Sequence, residues 1–89
     1  MVPSSTNWPD WWQWELDCTN PHLAKRMSDR SFNETDLRQM LEVAGSYRPD
    51  VAPGRWIIST RHTHRAWEVV VEPDVAQQAL IVVTAYPIG

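Results

Sequence analysis

Cysteine is almost missing from this chain: Cys18 stands alone among 89 residues. An internal disulfide is therefore excluded, and a cysteine zinc cluster has nothing to build on. No apolar run approaches the roughly 20 residues that span a bilayer. The stretch Met1 to Asn7 lacks the basic start and apolar core of a signal peptide. These absences are what a protein of the reducing cytoplasm shows, and they lead us to expect no membrane association. The chain also has no phosphate-binding glycine loop, nucleophile elbow, zinc-protease helix motif or calcium loop. Acidic residues are absent between Val51 and Trp67.

That last gap gives the charge pattern its meaning. The net charge of −3 argues against a protein that coats nucleic acid by charge alone. Within the acid-free stretch, however, Arg55, Arg61 and Arg65 accompany His62 and His64. Lys25, Arg26 and Arg30 form a second basic group beside His22, diluted only by Asp29. Two local basic patches on an acidic chain suit a specific phosphate site better than a general binding surface. Solvated surface charge is the plainer account of each residue taken singly.

Apolar residues make up 43% of the chain, as in an ordinary folded domain. Its length allows one domain and no second core. Six tryptophans can each bury a large area, so a few rings could hold a small core together. Met1 to Asp10 is polar and proline-bearing and reads as a loosely ordered leader, with the domain over residues 11–89. From Trp12 to Cys18 the residues alternate, Trp12, Trp14, Leu16 and Cys18 against Gln13, Glu15 and Asp17, which predicts a half-buried strand. Asn20 and Pro21 then supply a cap and a first turn for a helix to about Asp29, with Leu23 and Met27 inward. A second helix starts after Asn33, with Glu34 and Asp36 at its positive end and Phe32 placed to staple onto Leu37. Leu37, Met40, Leu41 and Ala44 keep helical spacing up to Gly45.

Gly45 to Gly54 holds Pro49-Asp50 and Pro53-Gly54, so a loop is expected. Three strand-like runs follow: Arg55 to Arg61, Ala66 to Glu72, and Leu80 to Tyr86. His62-Thr63-His64 makes the first two a hairpin, and the third, apolar on both faces, reads as a central strand. The expectation is one α+β domain ordered strand, helix, helix, strand, strand, strand. It has a four-stranded, mainly antiparallel sheet, with both helices on one face and the other partly open.

The chemistry-bearing candidates are few. His22, with Lys25 and Arg26 three and four residues on, could move a proton to or from a ribose hydroxyl while the cations hold phosphate. A common histidine on a surface helix is the plain alternative. His62 and His64 read as a second acid/base or phosphate contact, as two ligands of an incomplete metal site, or as an exposed hairpin tip. Thr84 and Tyr86 are polar residues on one side of an otherwise apolar strand, where core hydrogen bonding and packing also explain them. The tryptophans could stack on bases, but Trp12, Trp14, Trp56 and Trp67 are expected in the core.

Several segments together resemble a known group. Pro21-His22-Leu23-Ala24-Lys25-Arg26-Met27, followed by Asp29-Arg30-Ser31-Phe32, resembles the His-x-x-x-Arg-Met-x-x-Arg helix of a family of small bacterial proteins. Asp36 to Leu41, Gly54-Arg55-Trp56, Trp67-Glu68-Val69 and Val82 to Tyr86 look like its later blocks. That family is similar to BrnT and RelE toxins, within the EndoU- and RNase A-like fold group. The resemblance implies an endoribonuclease that needs neither metal nor organic cofactor. Its partners would be RNA and a neighbouring antitoxin-like protein, and two copies could also pair through an edge strand. It places functional weight on His22, Arg26 and Arg30 in the first helix and on Thr84 and Tyr86 in the last strand, with Arg61 a weaker candidate by its place at a strand end. A ribonuclease of this kind would use His22, Arg26 and Thr84 as catalytic residues, Thr84 orienting one of the arginines, with Lys25, Arg30, Arg61 and Tyr86 binding substrate. This chain has Ser31 where the family often has glycine, and its His62/His64 hairpin has no counterpart there. A binding module of the same fold without the reaction is the rival reading. A metal-binding protein using His62 and His64 is the third.

Overall fold

The computed structural model describes residues 8–88. A short 3₁₀ helix, Asp10–Gln13, leads into strand β1, Glu15–Asp17. Helices α1, Pro21–Arg30, and α2, Glu34–Glu42, follow. Then come β2, Ser46–Pro49, β3, Trp56–His62, β4, Arg65–Asp74, and β5, Ala79–Ile88. The strand–helix–helix–strand order holds, but the sheet is mixed and five-stranded, in the order β1-β5-β4-β3-β2. The two helices carry the chain from one edge of the sheet to the other. The antiparallel strands β2 to β5 then walk back, and β5 lands parallel to β1.

Two expectations are corrected. The strand expected over Trp12–Cys18 shrinks to three residues, because Trp11 and Trp12 lie in the 3₁₀ turn and pack on the core. Trp11 meets Trp12, Tyr47 and Trp56 at centroid distances of 6.2, 6.0 and 5.6 Å. Ring contacts of this kind contribute about 0.5–1.5 kcal/mol each beyond area burial, enough to override a weak local preference for strand. The loop expected over Gly45–Gly54 contains β2, the fifth strand, which pairs Ser46 to Pro49 against Ser59 to Trp56. Of the expected leader, residues 1–7 lie outside the described ones. Its end packs: the half-buried Trp8 stacks on Trp12 at 4.2 Å.

Local chemistry explains the helices. The Asn20 side chain accepts the His22 amide hydrogen at 2.8 Å, and Pro21 occupies the first turn where no N–H is needed. Helix α1 ends with Ser31 in the left-handed region, φ 55°. That conformation favours glycine. At α2, Asn33 and Asp36 exchange bonds of 2.9 and 3.0 Å in a full capping box.

Both helices lie on one face of the sheet. Leu23 from α1 and Leu37 and Met40 from α2 join Ile58, Val69, Val71, Leu80, Val82 and Ala85 in the core. The buried Thr60 hydroxyl donates to the Met40 carbonyl, satisfying one of the acceptors a helix end leaves over. A register shift at Val70/Val71 pairs Val70 with Thr84 but Val71 with Val82. β5 thus gains one residue, and past it Ala85 faces the helices while Thr84 and Tyr86 face away. That outward face carries no helix, so β5 is covered on one side only.

Candidate nucleic-acid interface

The charges separate into two populations. Arg26, Arg38, Arg48 and Arg55 are ion-paired with Asp29, Glu34, Glu68 and Glu72, at 3.6, 2.8, 2.7 and 3.1 Å. Lys25, Arg30, Arg61 and Arg65 have no carboxylate partner among the described residues. All four lie on α1 or on the β3–β4 hairpin, the same two elements that hold His22, His62 and His64, if the hairpin turn is counted.

Packing brings the end of α1 and the base of the hairpin together at one ring. Phe32, just past α1, meets Trp67 edge-on at 5.3 Å. His62 meets the same ring at 5.5 Å, nearly perpendicular. Arg30 reaches under the helix and donates to the Ala85 carbonyl at 3.0 Å, a partly buried bond that ties α1 to β5. Arg61, His64 and Arg65 are exposed beyond this junction. Trp67 is 5% exposed, and its indole N–H is buried without an acceptor among the described residues. A buried donor with no partner is unusual. Exposed Arg61 and Arg65 therefore stand beside a rigid aromatic junction and could meet an anion there.

The expected catalytic set is not assembled in one place. His22, Lys25 and Arg26 share one stripe of α1, with His22 and Lys25 exposed. Arg30 sits at the other end of the helix, about 12 Å along the axis from His22. Thr84 and Tyr86 lie on the sheet face turned away from both helices. Thr84 makes no hydrogen bond to Arg26 or Arg30 among the described residues. Tyr86 donates to Glu68 at 2.7 Å, and Glu68 also accepts from Arg48, which touches Ser59 at 3.4 Å. Arg48 and Tyr86 hold the Glu68 carboxyl below its usual range. Burial, then the bond to Glu68, pushes the Tyr86 hydroxyl up to about 12. This network ties together the four neighbouring strands β2 to β5, and both of the Glu68 carboxylate oxygens are engaged. Arg61 alone of the expected strand residues remains free at the hairpin.

His64 stands in the turn with φ 67°, not on a strand, so His62 and His64 do not share a strand face as a ligand pair would. Among the described residues, no group of three or more His, Cys, Asp or Glu could hold a metal ion. No described helix is long and apolar enough to cross a membrane. Arg65 was already part of the basic group read from the sequence, whereas the buried Trp67 indole N–H was not, its only sign being a tryptophan beside a basic turn. No family model, curated protein or solved structure matches this chain.

Proposed function

We propose that this protein is an RNA-binding domain with toxin-like architecture, which grips phosphates with the end of the molecule built by α1 and the β3–β4 hairpin. One observation carries the reading: among the described residues, every lysine and arginine without a carboxylate partner lies on those two elements, together with all three histidines. In an acidic protein, cations without an acidic partner create a local positive field despite the net charge. Single-stranded RNA supplies phosphates for Arg61 and Arg65 and leaves α1 within reach of neighbouring nucleotides.

A second reading, metal-independent RNA cleavage by a toxin-like endoribonuclease, is favoured by the exposed stripe of His22, Lys25 and Arg26. There His22 would transfer the proton and Arg26 would stabilise the phosphate, once freed from its exposed pair with Asp29. An antitoxin-like protein would then be a natural regulator of the same surface.

The test is fluorescence anisotropy with a labelled single-stranded RNA across a salt series. Three or four phosphate contacts give a log–log salt slope of roughly −2 to −3. Arg61→Ala with Arg65→Ala should weaken binding about tenfold or more, whereas Arg55→Ala, in an ion pair elsewhere, should change little. Salt-independent binding, or indifference to the hairpin arginines, overturns the reading. Gel analysis of the same RNA separates the two versions. Cleavage lost in His22→Ala at unchanged affinity supports the enzyme, and intact RNA with tight binding supports the module.

A further inference from the structure

Strand β1 closes one edge of the sheet. One of its sides pairs with β5, and the other faces no strand among the described residues. Two cavities flank it, of about 560 and 410 Å³. Both are lined by Glu15 and Leu16, so the two lie side by side along the strand. The floor of the larger is Trp12, Trp14, Leu16, Leu41 and Leu80. The smaller is lined by Asp17, Thr19, Gln77 and Gln78.

The shape and the charge limit what can lie there. Adjacent cavities bordering unpaired strand backbone fit an extended chain better than a compact ligand, because main-chain hydrogen bonds and alternate side-chain pockets are then used together. The apolar end has room for one or two aliphatic side chains. The rim is acidic: Glu15 and Glu42 border the larger cavity, Asp17 and Glu34 the smaller. The cation that lines it, Arg38, is already neutralised by Glu34 at 2.8 Å. A second copy of the chain is disfavoured, since antiparallel pairing of two β1 strands would set Glu15 against Asp17, and like charges directly opposite destabilise a sheet.

We propose that this edge binds a basic, apolar-alternating peptide segment of a partner protein by strand addition to β1, with an aliphatic side chain seated between Trp12, Trp14 and Leu41 and lysines or arginines facing Glu15 and Glu42. The site lies on the β1 and α2 side, apart from the hairpin and α1, and the inference stands independently of the RNA reading.

The probe is an acetylated Lys-Val-Lys-Val-Lys amide, compared with its Glu-Val-Glu-Val-Glu counterpart, titrated into the full chain. Binding is followed by tryptophan fluorescence and by amide shifts in two-dimensional NMR. The basic peptide should bind and the acidic one should not, with the largest amide shifts at Glu15, Leu16 and Asp17. Glu15→Lys with Glu42→Lys, both at exposed positions, should weaken it about tenfold or more while circular dichroism stays native. Methylating the peptide amides on the side that faces β1 should abolish binding, and methylating the opposite side should not. No binding, equal binding of the acidic peptide, indifference to the charge reversals, or shifts confined to other strands each overturns the proposal. Dimer formation by the chain alone through β1 would do so as well.

Discussion

Thr63 and His64 fill the two central places of the β3–β4 turn with φ of 48° and 67°. Two left-handed residues in a two-residue hairpin make a type I′ turn, the geometry that ordinarily takes Asn and Gly. At each position the Cβ is pressed toward the following carbonyl oxygen, costing about 1–2 kcal/mol relative to glycine, with β-branched Thr63 at the upper end. Two effects oppose relief of that strain. The Thr63 hydroxyl donates to the His62 carbonyl at 2.7 Å, an exposed bond contributing about 0.5 kcal/mol. A glycine at position 64 also adds roughly 0.5–1 kcal/mol of backbone entropy to the unfolded chain. Thr63→Asn combined with His64→Gly should therefore stabilise the domain by about 1 kcal/mol. For a chain this size that is a Tm rise of about 4–8 °C. Far-UV circular dichroism melts and urea unfolding followed by tryptophan emission would measure it. A variant with native spectra whose Tm is unchanged or lower would refute the claim that this turn holds strain.

Two further effects should be measurable. Ser31→Gly should raise the urea midpoint by an amount equivalent to about 0.5–1 kcal/mol, because Ser31 ends α1 in the left-handed region; a fall would show that the serine supports the cap. The Tyr86 hydroxyl is pushed up to about 12 from its ordinary 10.0, so its contribution is complete below the lower value and is lost as pH rises through the higher. Allowing for solvent at this sheet face, that is about 1 kcal/mol. Urea midpoints from about pH 9 to about pH 12 should fall for the wild type and less for Tyr86→Phe; parallel curves would count against the Glu68 bond.

Much of this fold could be read residue by residue. Asn33 and Asp36 announced α2, and the spacing of Leu37, Met40 and Leu41 set its inward face, because capping and helical periodicity are local. The alternation through Trp67, Val69 and Val71 marked β4 for the same reason. What failed depended on partners distant in the chain. Trp12 and Trp14 alternate as a strand would, yet Trp11 and Trp12 sit in a 3₁₀ turn because Tyr47 and Trp56 lie beside them. Ser46 to Pro49 carries one apolar residue, Tyr47, too little to signal a strand that exists by pairing with β3. The site was legible in part. The cations of α1 and the hairpin were visible, but that Asp29 neutralises Arg26 while Arg61 and Arg65 go unpaired follows from geometry. So does the splitting of Thr84 and Tyr86 from His22, which hangs on one extra residue in β5.

The pairing of β1 with β5 has a bearing on how the molecule is made. Leu16 emerges from the ribosome well before its partner Leu80. Until then β1 has no neighbour, and Leu80 and Val82 are missing from the core that Leu23 and Leu37 are waiting to fill. Contacts of such long sequence separation form slowly, since loop closure must precede their reward. The domain should therefore acquire its structure late and in one cooperative step, so that a nascent chain halted before β5 would present α1 with its cations but without the sheet that orders them.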